Sequence, residues 1–314
     1  MIKKNIVILI FVAFIISLGS IVASAGEVDW GAINPKQKNA TSVGDSKECL
    51  LCHQEYIDTF GRTKHAKVFQ AKYGKELGGT CEKCHGPLSA HLNGATREER
   101  YAAVVSFKKI PTETKNKICL QCHEKGLTMH WAGSTHDRNG LSCSDCHYVM
   151  DKKSRQKLYI DEDPKKACFQ CHQGIRAKMM KTSHMPIREG KLECASCHNP
   201  HGGPGPSLLK GTTINDTCYN CHQEKRAPVI WEHAPVRENC ANCHDAHGSN
   251  FDKLLKVRMP YLCQQCHSGN FHPSTMYDGG KVVSSAQFMR GKSCVNCHSL
   301  IHGSNHPSGS FFQR

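Results

Sequence analysis

The sequence predicts a chain of short helices and loops with little or no sheet, elongated and built from five copies of one unit. Three observations predict it. All twenty cysteines fall in ten C-x-x-C-H segments. Further histidines recur at similar offsets behind those segments. Aromatic residues are only 7% of the chain, and no apolar alternation is long enough for a sheet, so side chains alone do not supply an ordinary core.

The elements follow in chain order. Residues 1–25 (MIKKNIVILIFVAFIISLGSIVASA) read as a secretory signal peptide: Lys3 and Lys4, an apolar run, then Ala23-Ser24-Ala25 as the small-residue cleavage pattern. No later run approaches the ~20 apolar residues of a transmembrane helix. Residues 26–45 read as a flexible N-terminal segment, and 46–314 as one domain. The domain opens with Cys49/Cys52/His53, Cys81/Cys84/His85, Cys119/Cys122/His123, Cys143/Cys146/His147 and Cys168/Cys171/His172. It continues with Cys194/Cys197/His198, Cys218/Cys221/His222, Cys240/Cys243/His244, Cys263/Cys266/His267 and Cys294/Cys297/His298.

C-x-x-C-H is the attachment pattern for c-type haem: two thiols bond to the porphyrin and the adjoining histidine reaches the iron. An exported, cysteine-rich chain would otherwise suggest disulfides, and paired cysteines suggest zinc. Neither explains a histidine directly after all ten pairs, with no cysteine left over. The expectation is ten covalent haem c groups in a multihaem cytochrome c fold, the rings forming the core and short segments wrapping them. The charge agrees. The formal net charge is +14, and removing Lys3 and Lys4 leaves +12. Twenty propionates against ten ferric centres would bring the oxidised protein to about +2, which removes the case for a nucleic-acid partner.

The ten motif histidines stand 32, 38, 24, 25, 26, 24, 22, 23 and 31 residues apart. Odd motifs are followed by polar segments ending in histidine: RTKH to His65, GSTH to His136, KTSH to His184, VIWEH to His233. Even motifs are followed within a few residues by His91, His201, His247 and His302, the last three before glycine. The repeating unit is therefore two haems on roughly fifty residues. Within it, HQEYIDTFGR and GIRAKMMKTSH suit short helices, Thr96–Glu99 a capping box, and Asn199-Pro200-His201-Gly202 a turn.

Twenty-one histidines less ten leave eleven for the second axial positions: His65, His91, His130, His136, His184, His201, His233, His247, His272, His302 and His306. Eleven candidates for ten irons predict two histidines on every iron. The second copy departs, because Met150 stands where the others carry histidine. His130 is the expected replacement; Met150, whose thioether would raise the potential, and the surplus His306 are the alternatives.

Three stretches carry a family resemblance: CYNCHQEKRAPVIWEHAPVRENCANCHDAHG at 218–248, LCQQCH at 262–267, and CVNCHSLIHGSNHPSG from 294. With ten motifs behind a signal peptide, the chain resembles the periplasmic decahaem cytochromes of the Mtr and Dms respiratory systems. The resemblance implies His65, His91, His136, His184, His201, His233, His247 and His272 as distal ligands, with His302 or His306 as another. It implies a periplasmic protein that threads an outer-membrane β-barrel porin. Its donors would be periplasmic or inner-membrane cytochromes, and its acceptor an outer-surface multihaem cytochrome or reductase serving metal oxides or dimethyl sulfoxide. At roughly 10 Å per iron, about one helix diameter, ten haems span roughly 90 Å, more than a bilayer's ~40–45 Å.

Two ligands on every iron predict an electron carrier with no catalytic residue. The rival is a multihaem reductase with one open iron, and the Met150 copy is where a vacancy could hide. A free periplasmic shuttle or a secreted haem filament is the third reading.

Overall fold

The computed structural model describes residues 28–44, 47–73, 79–155, 157–226, 228–267 and 294–313. The signal peptide therefore lies outside the described residues, as does His272. Among the described residues the helices are short; the longest covers Thr112–His123, twelve residues. Strand pairing is confined to isolated bridges such as Ser183↔Ser249 and Trp231↔Ser304. No described helix is long and apolar enough to cross a membrane.

Each C-x-x-C-H segment is a helical turn. The N–H of His85, His147, His198 and His244 donates to the carbonyl of its own first cysteine at 2.9–3.1 Å. Positions i, i+3 and i+4 of a helical turn share one face, so both sulfurs and the imidazole meet one ring. Odd motifs end helices started by local caps. Asp163 caps Pro164–Phe169 and Thr213 caps Ile214–Tyr219, the latter with a capping box to Asp216. The box expected at Thr96 is present, with Glu99, opening Arg97–Ala102. Glu55–Phe60 and Gln173–Met179 are the two expected short helices.

Successive motifs touch in order. The first cysteines lie side by side as Cys49–Cys81, Cys119–Cys143, Cys168–Cys194, Cys218–Cys240 and Cys263–Cys294. The second cysteines adjoin as Cys84–Cys122, Cys146–Cys171, Cys197–Cys221 and Cys243–Cys266. All ten attachment sites thus form one unbroken series in chain order.

Cys52 and Cys297 fall outside this pairing of second cysteines, because they belong to the first and the tenth motif, where the series ends. Both are exposed. They keep the local turn that a thioether pair needs: the Cys52 N–H donates to Cys49 O at 3.3 Å and the Cys297 N–H to Cys294 O at 3.2 Å.

The N-terminal segment corrects an expectation. Residues 28–44 are tied down. Val28, Val105 and Ile118 form a buried cluster with Trp30, Ile33, Cys84, Phe107 and Ile110 packed against it. Gln37, 2% exposed, donates to the carbonyls of His85 (2.7 Å) and Ala103 (3.1 Å). An apolar cluster at an attachment site is enough to order the segment.

Candidate haem-binding site

The site is a repeated grip on a flat ring, and each half has its own orienting contacts. In even motifs the imidazole Nδ1–H donates to a carbonyl further along the chain. His85 bonds Val105 (2.8 Å), His147 bonds Lys157 (2.7 Å), His198 bonds Ser207 (2.8 Å), His244 bonds Lys253 (2.8 Å) and His298 bonds Phe311 (2.5 Å). A proton held on Nδ1 leaves the Nε2 lone pair for a metal, and the bond fixes the ring plane.

Three of the accepting carbonyls belong to unusual turns. Lys157-Leu158, Ser207-Leu208 and Lys253-Leu254 all have φ between +50° and +60°. Left-handed pairs without glycine are strained, and strain of this kind persists where a site depends on it. The sequence carries a signal for them: a polar residue followed by leucine, nine to eleven residues behind each of these motif histidines. Buried Asn116 and Asn215 are the other residues that sequence reasoning misses. Each donates to the segment before the next motif and accepts from that motif's first N–H, at Cys143 (2.9 Å) and Cys240 (2.7 Å).

Opposite the motif histidines stand most of the predicted distal ones. Two metal–imidazole bonds of about 2.0 Å plus two ring radii of about 1.15 Å set axial ring centroids about 6.3 Å apart. The observed separations are His53–His91 6.4 Å, His136–His172 6.2 Å, His147–His201 6.0 Å, His198–His247 6.1 Å, His233–His267 6.2 Å and His244–His302 6.3 Å. His65 and His123 are closer, at 5.7 Å, with their Nε2 atoms 3.4 Å apart. Six pairs fit an iron held between two imidazoles, and His65 with His123 is a seventh facing pair that must open slightly to admit one. Burial lowers the pKa of His65, His147, His233, His247 and His302, and takes His201 to about 4, so these imidazoles are neutral, as ligation requires.

The pairing follows a rule that the sequence alone does not reveal. A histidine behind an odd motif faces the next odd motif: His65 to His123, His136 to His172, His233 to His267. A histidine behind an even motif faces the even motif before it: His201 to His147, His247 to His198, His302 to His244. Neighbouring copies thus exchange ligands in both directions. His91 follows the second motif, which has no even predecessor, and it faces His53 of the first.

The glycines behind the even distal histidines have a packing reason. Gly202, Gly248 and Gly303 sit at φ +117°, +140° and +116°. A β-carbon there would collide with the His130 carbonyl, the Lys178 carbonyl or the Val229 side chain.

Three predicted residues lie elsewhere. His184 donates through Nδ1 to Lys181 O (2.8 Å) and sets Nε2 3.0 Å from Glu189, which raises its pKa. His306 is exposed, and its Nδ1 accepts the Ser308 N–H at 3.2 Å, so its proton is on Nε2 and that atom is no ligand in this orientation. His130 is exposed, with its backbone against Gly202, beside a pair whose two places are already taken by His147 and His201.

Comparison with known proteins agrees with the geometry. Residues 184–227 and 233–271 match the doubled CXXCH motif family, and 81–163 match the cytochrome c-type protein NrfB-like family. Cytochrome c-552 of Desulfotalea psychrophila is 28% identical over 40% of this chain and 24% of that protein. The dissimilatory sulfite reductase MccA of Wolinella succinogenes is 23% identical over 55% of this chain and 28% of that protein. The multiheme cytochrome MtrA of Shewanella baltica is 39% identical over 91% of this chain and 89% of that protein. The paired motifs, the facing imidazoles and this end-to-end similarity make the chain a member of the MtrA family of multihaem c-type cytochromes, electron-transfer proteins that hold haem c covalently.

Proposed function

We propose that this chain is the periplasmic part of an outer-membrane electron conduit. It carries electrons between periplasmic or inner-membrane cytochromes and an outer-surface multihaem cytochrome or reductase. Residues 1–25 are its export signal, and it threads a β-barrel porin. Metal oxides or dimethyl sulfoxide are the terminal acceptors this reading favours.

Bound haem c supplies one-electron chemistry. The protein's residues hold the rings in series and close both axial positions. The observation that carries the reading is the unbroken cysteine-to-cysteine succession from Cys49 to Cys294, which leaves no attachment site isolated. The exchange rule extends to the remaining ligands. It assigns His184 to His222, with His184 turning away from Glu189 when the iron is present. It leaves His272 for His298, the mirror image of His91 on His53.

The test is gentle detergent extraction of outer membranes and purification through a C-terminal tag on this chain. Recovery of a β-barrel at near-equal stoichiometry is the expected result. A fully haem-loaded protein recovered without a barrel would replace the conduit with a free shuttle.

A second reading is favoured by one observation. His85 is oriented for an iron by Val105 but is edge-on to Phe107, 6.0 Å away, where other even motif histidines face a histidine. An open iron there would suit a reductase, and carbon monoxide binding to the reduced native protein tests it.

A further inference from the structure

We infer that Met150 is the second axial ligand of the haem carried by Cys81, Cys84 and His85, which gives the chain one site of raised potential near its N-terminal end. The potential follows from the electron-transfer reading, whereas the ligation stands on the exchange rule alone.

The rule assigns the partner of each even motif to the residue behind the next even motif. Three pairs obey it at 6.0–6.3 Å: His147 with His201, His198 with His247, His244 with His302. Applied once more, it gives His85 the residue behind the fourth motif. That residue is Met150. The haem with altered ligation is therefore the second, and the fourth keeps two histidines, His147 and His201.

Local contacts place Met150 in the same slot as its counterparts. At two of the meetings between distal histidines of neighbouring copies, the odd one donates through Nδ1 to the carbonyl just before the even one. His136 bonds Pro200 O (2.8 Å), ahead of His201, and His233 bonds Ile301 O (3.0 Å), ahead of His302. The corresponding meeting in the first copy is His65 with Met150, where the buried Nδ1 of His65 has no hydrogen-bond partner and the two stretches are joined by an ion pair instead. Arg62, three residues before His65, pairs with Asp151, directly after Met150, at 3.4 Å. Met150 itself is half-buried.

The substitution is a paired one. Three of the other four copies read His-Gly, the first reads His91-Leu92, and this copy reads Met150-Asp151. The glycines are needed where another backbone segment or side chain lies against them. Asp151 instead faces the Arg62 side chain, a contact that needs no glycine. Methionine is unbranched with a flexible thioether, so it can reach a ring centre from a histidine slot. Thioether ligation and an apolar shell both raise a haem's potential. The apolar shell is present: Val28, Val105, Ile118 and Phe107 surround Cys84.

The experiment is absorption and magnetic circular dichroism of the fully loaded, oxidised protein, with a redox titration. Expected is a far-red sulfur-to-iron charge-transfer band of one haem in ten, and no carbon monoxide binding to the reduced form. Met150→Ala abolishes the band and opens one haem to carbon monoxide. Met150→His also abolishes it, removes the highest-potential component of the titration and leaves all ten haems low-spin. His85→Ala removes the band while His147→Ala leaves it. The inference is overturned by a loaded wild-type protein without the band, by a band surviving Met150→Ala, or by loss in His147→Ala with retention in His85→Ala. None of these outcomes depends on a porin, so failure here is separable from failure of the conduit reading.

Discussion

The first two motifs and the sixth to eighth motifs solve one problem by different means. From Cys194 to His247 the chain repeats every 22–24 residues, with the same left-handed turns and the same histidine–glycine corners. There the side chains mainly orient imidazoles, and the rings must be the core. Around the second motif the spacing stretches to 32 and 38 residues, and the added chain builds a small conventional core from Val28, Val105 and Ile118. That core stands where the ligand rule meets methionine instead of histidine. The lesson is that ligands hold the repeats together, whereas apolar packing supplements them at the N-terminal end.

The largest effect should come from breaking a ligand in the repeat half. His247→Ala removes the histidine facing His198, 6.1 Å away. One haem in ten should become high-spin and bind carbon monoxide when reduced. The changed haem should be the one attached at Cys194 and Cys197, some fifty residues upstream, and not its close sequence neighbour at Cys240 and Cys243. Peptide-resolved mapping of a haem-directed adduct checks this. A change at the neighbouring haem would break the exchange rule and the Met150 assignment with it.

Next comes the side-chain core. Ile118 is 4% exposed in the cluster with Val28 and Val105. Ile118→Ala should cost about 2–5 kcal/mol of local stability by leaving a cavity. Hydrogen exchange should rise across residues 28–44 and 103–118 and stay unchanged beyond residue 190. Uniform loosening of the whole chain would mean that the two regions are one cooperative unit.

How much is legible in the sequence divides along the same line. Haem attachment, the fivefold unit and the absence of sheet in the described residues follow from spacing, because the C-x-x-C-H turn is local. The distal set is legible as a list, because His201 and His247 announce themselves by the glycine behind them. Which motif each one faces is not. That needs the path of the chain between copies, and the partner lies 49–58 residues away in the even series. Residue type, the guide that the sequence offers there, favours His130 over Met150, because a lone methionine is more often packing. The ordered N-terminal segment is equally hidden, because Val28 and Trp30 are isolated apolar residues whose partners come from residues 84–118.

A smaller effect concerns how that segment is held. Glu82, inside the second motif, accepts from the Ser42 hydroxyl and from the N–H groups of Val43 (2.9 Å), Leu88 (2.9 Å) and Gly44 (3.3 Å). Burial alone would raise its pKa, but these hydrogen bonds hold it below the ordinary 4.5. A carboxyl depressed in the folded state stabilises fully above its unfolded value and loses that contribution as pH falls through the folded one. Residues 41–44 should therefore exchange faster as pH falls below the ordinary 4.5 and through the depressed folded value, and Glu82→Gln should show the same at neutral pH, at a cost of about 1.5–3 kcal/mol. Beyond residue 190, Asp216 and Asp245 are depressed carboxyls too, held by Thr212 and Thr213 and by Lys178, but these contacts do not reach the N-terminal segment.

The smallest effect tests whether glycines in the repeat half matter only where backbones meet. Gly174 lies inside the helix Gln173–Met179 with nothing within 4 Å of an added β-carbon. Gly174→Ala should stabilise by about 0.4–1 kcal/mol, since alanine favours the helix and narrows the unfolded ensemble. Gly248, by contrast, sits at φ +140° against the Lys178 carbonyl. Gly248→Ala should destabilise by about 1–3 kcal/mol through backbone strain and displacement of His247. Denaturant unfolding of both variants, with the low-spin spectrum followed alongside, separates packing from ligation. If Gly248→Ala loses stability while keeping every haem low-spin, the corner is only a packing contact. If the spectrum of the haem at His198 changes as well, the glycine sets the position of the ligand beside it.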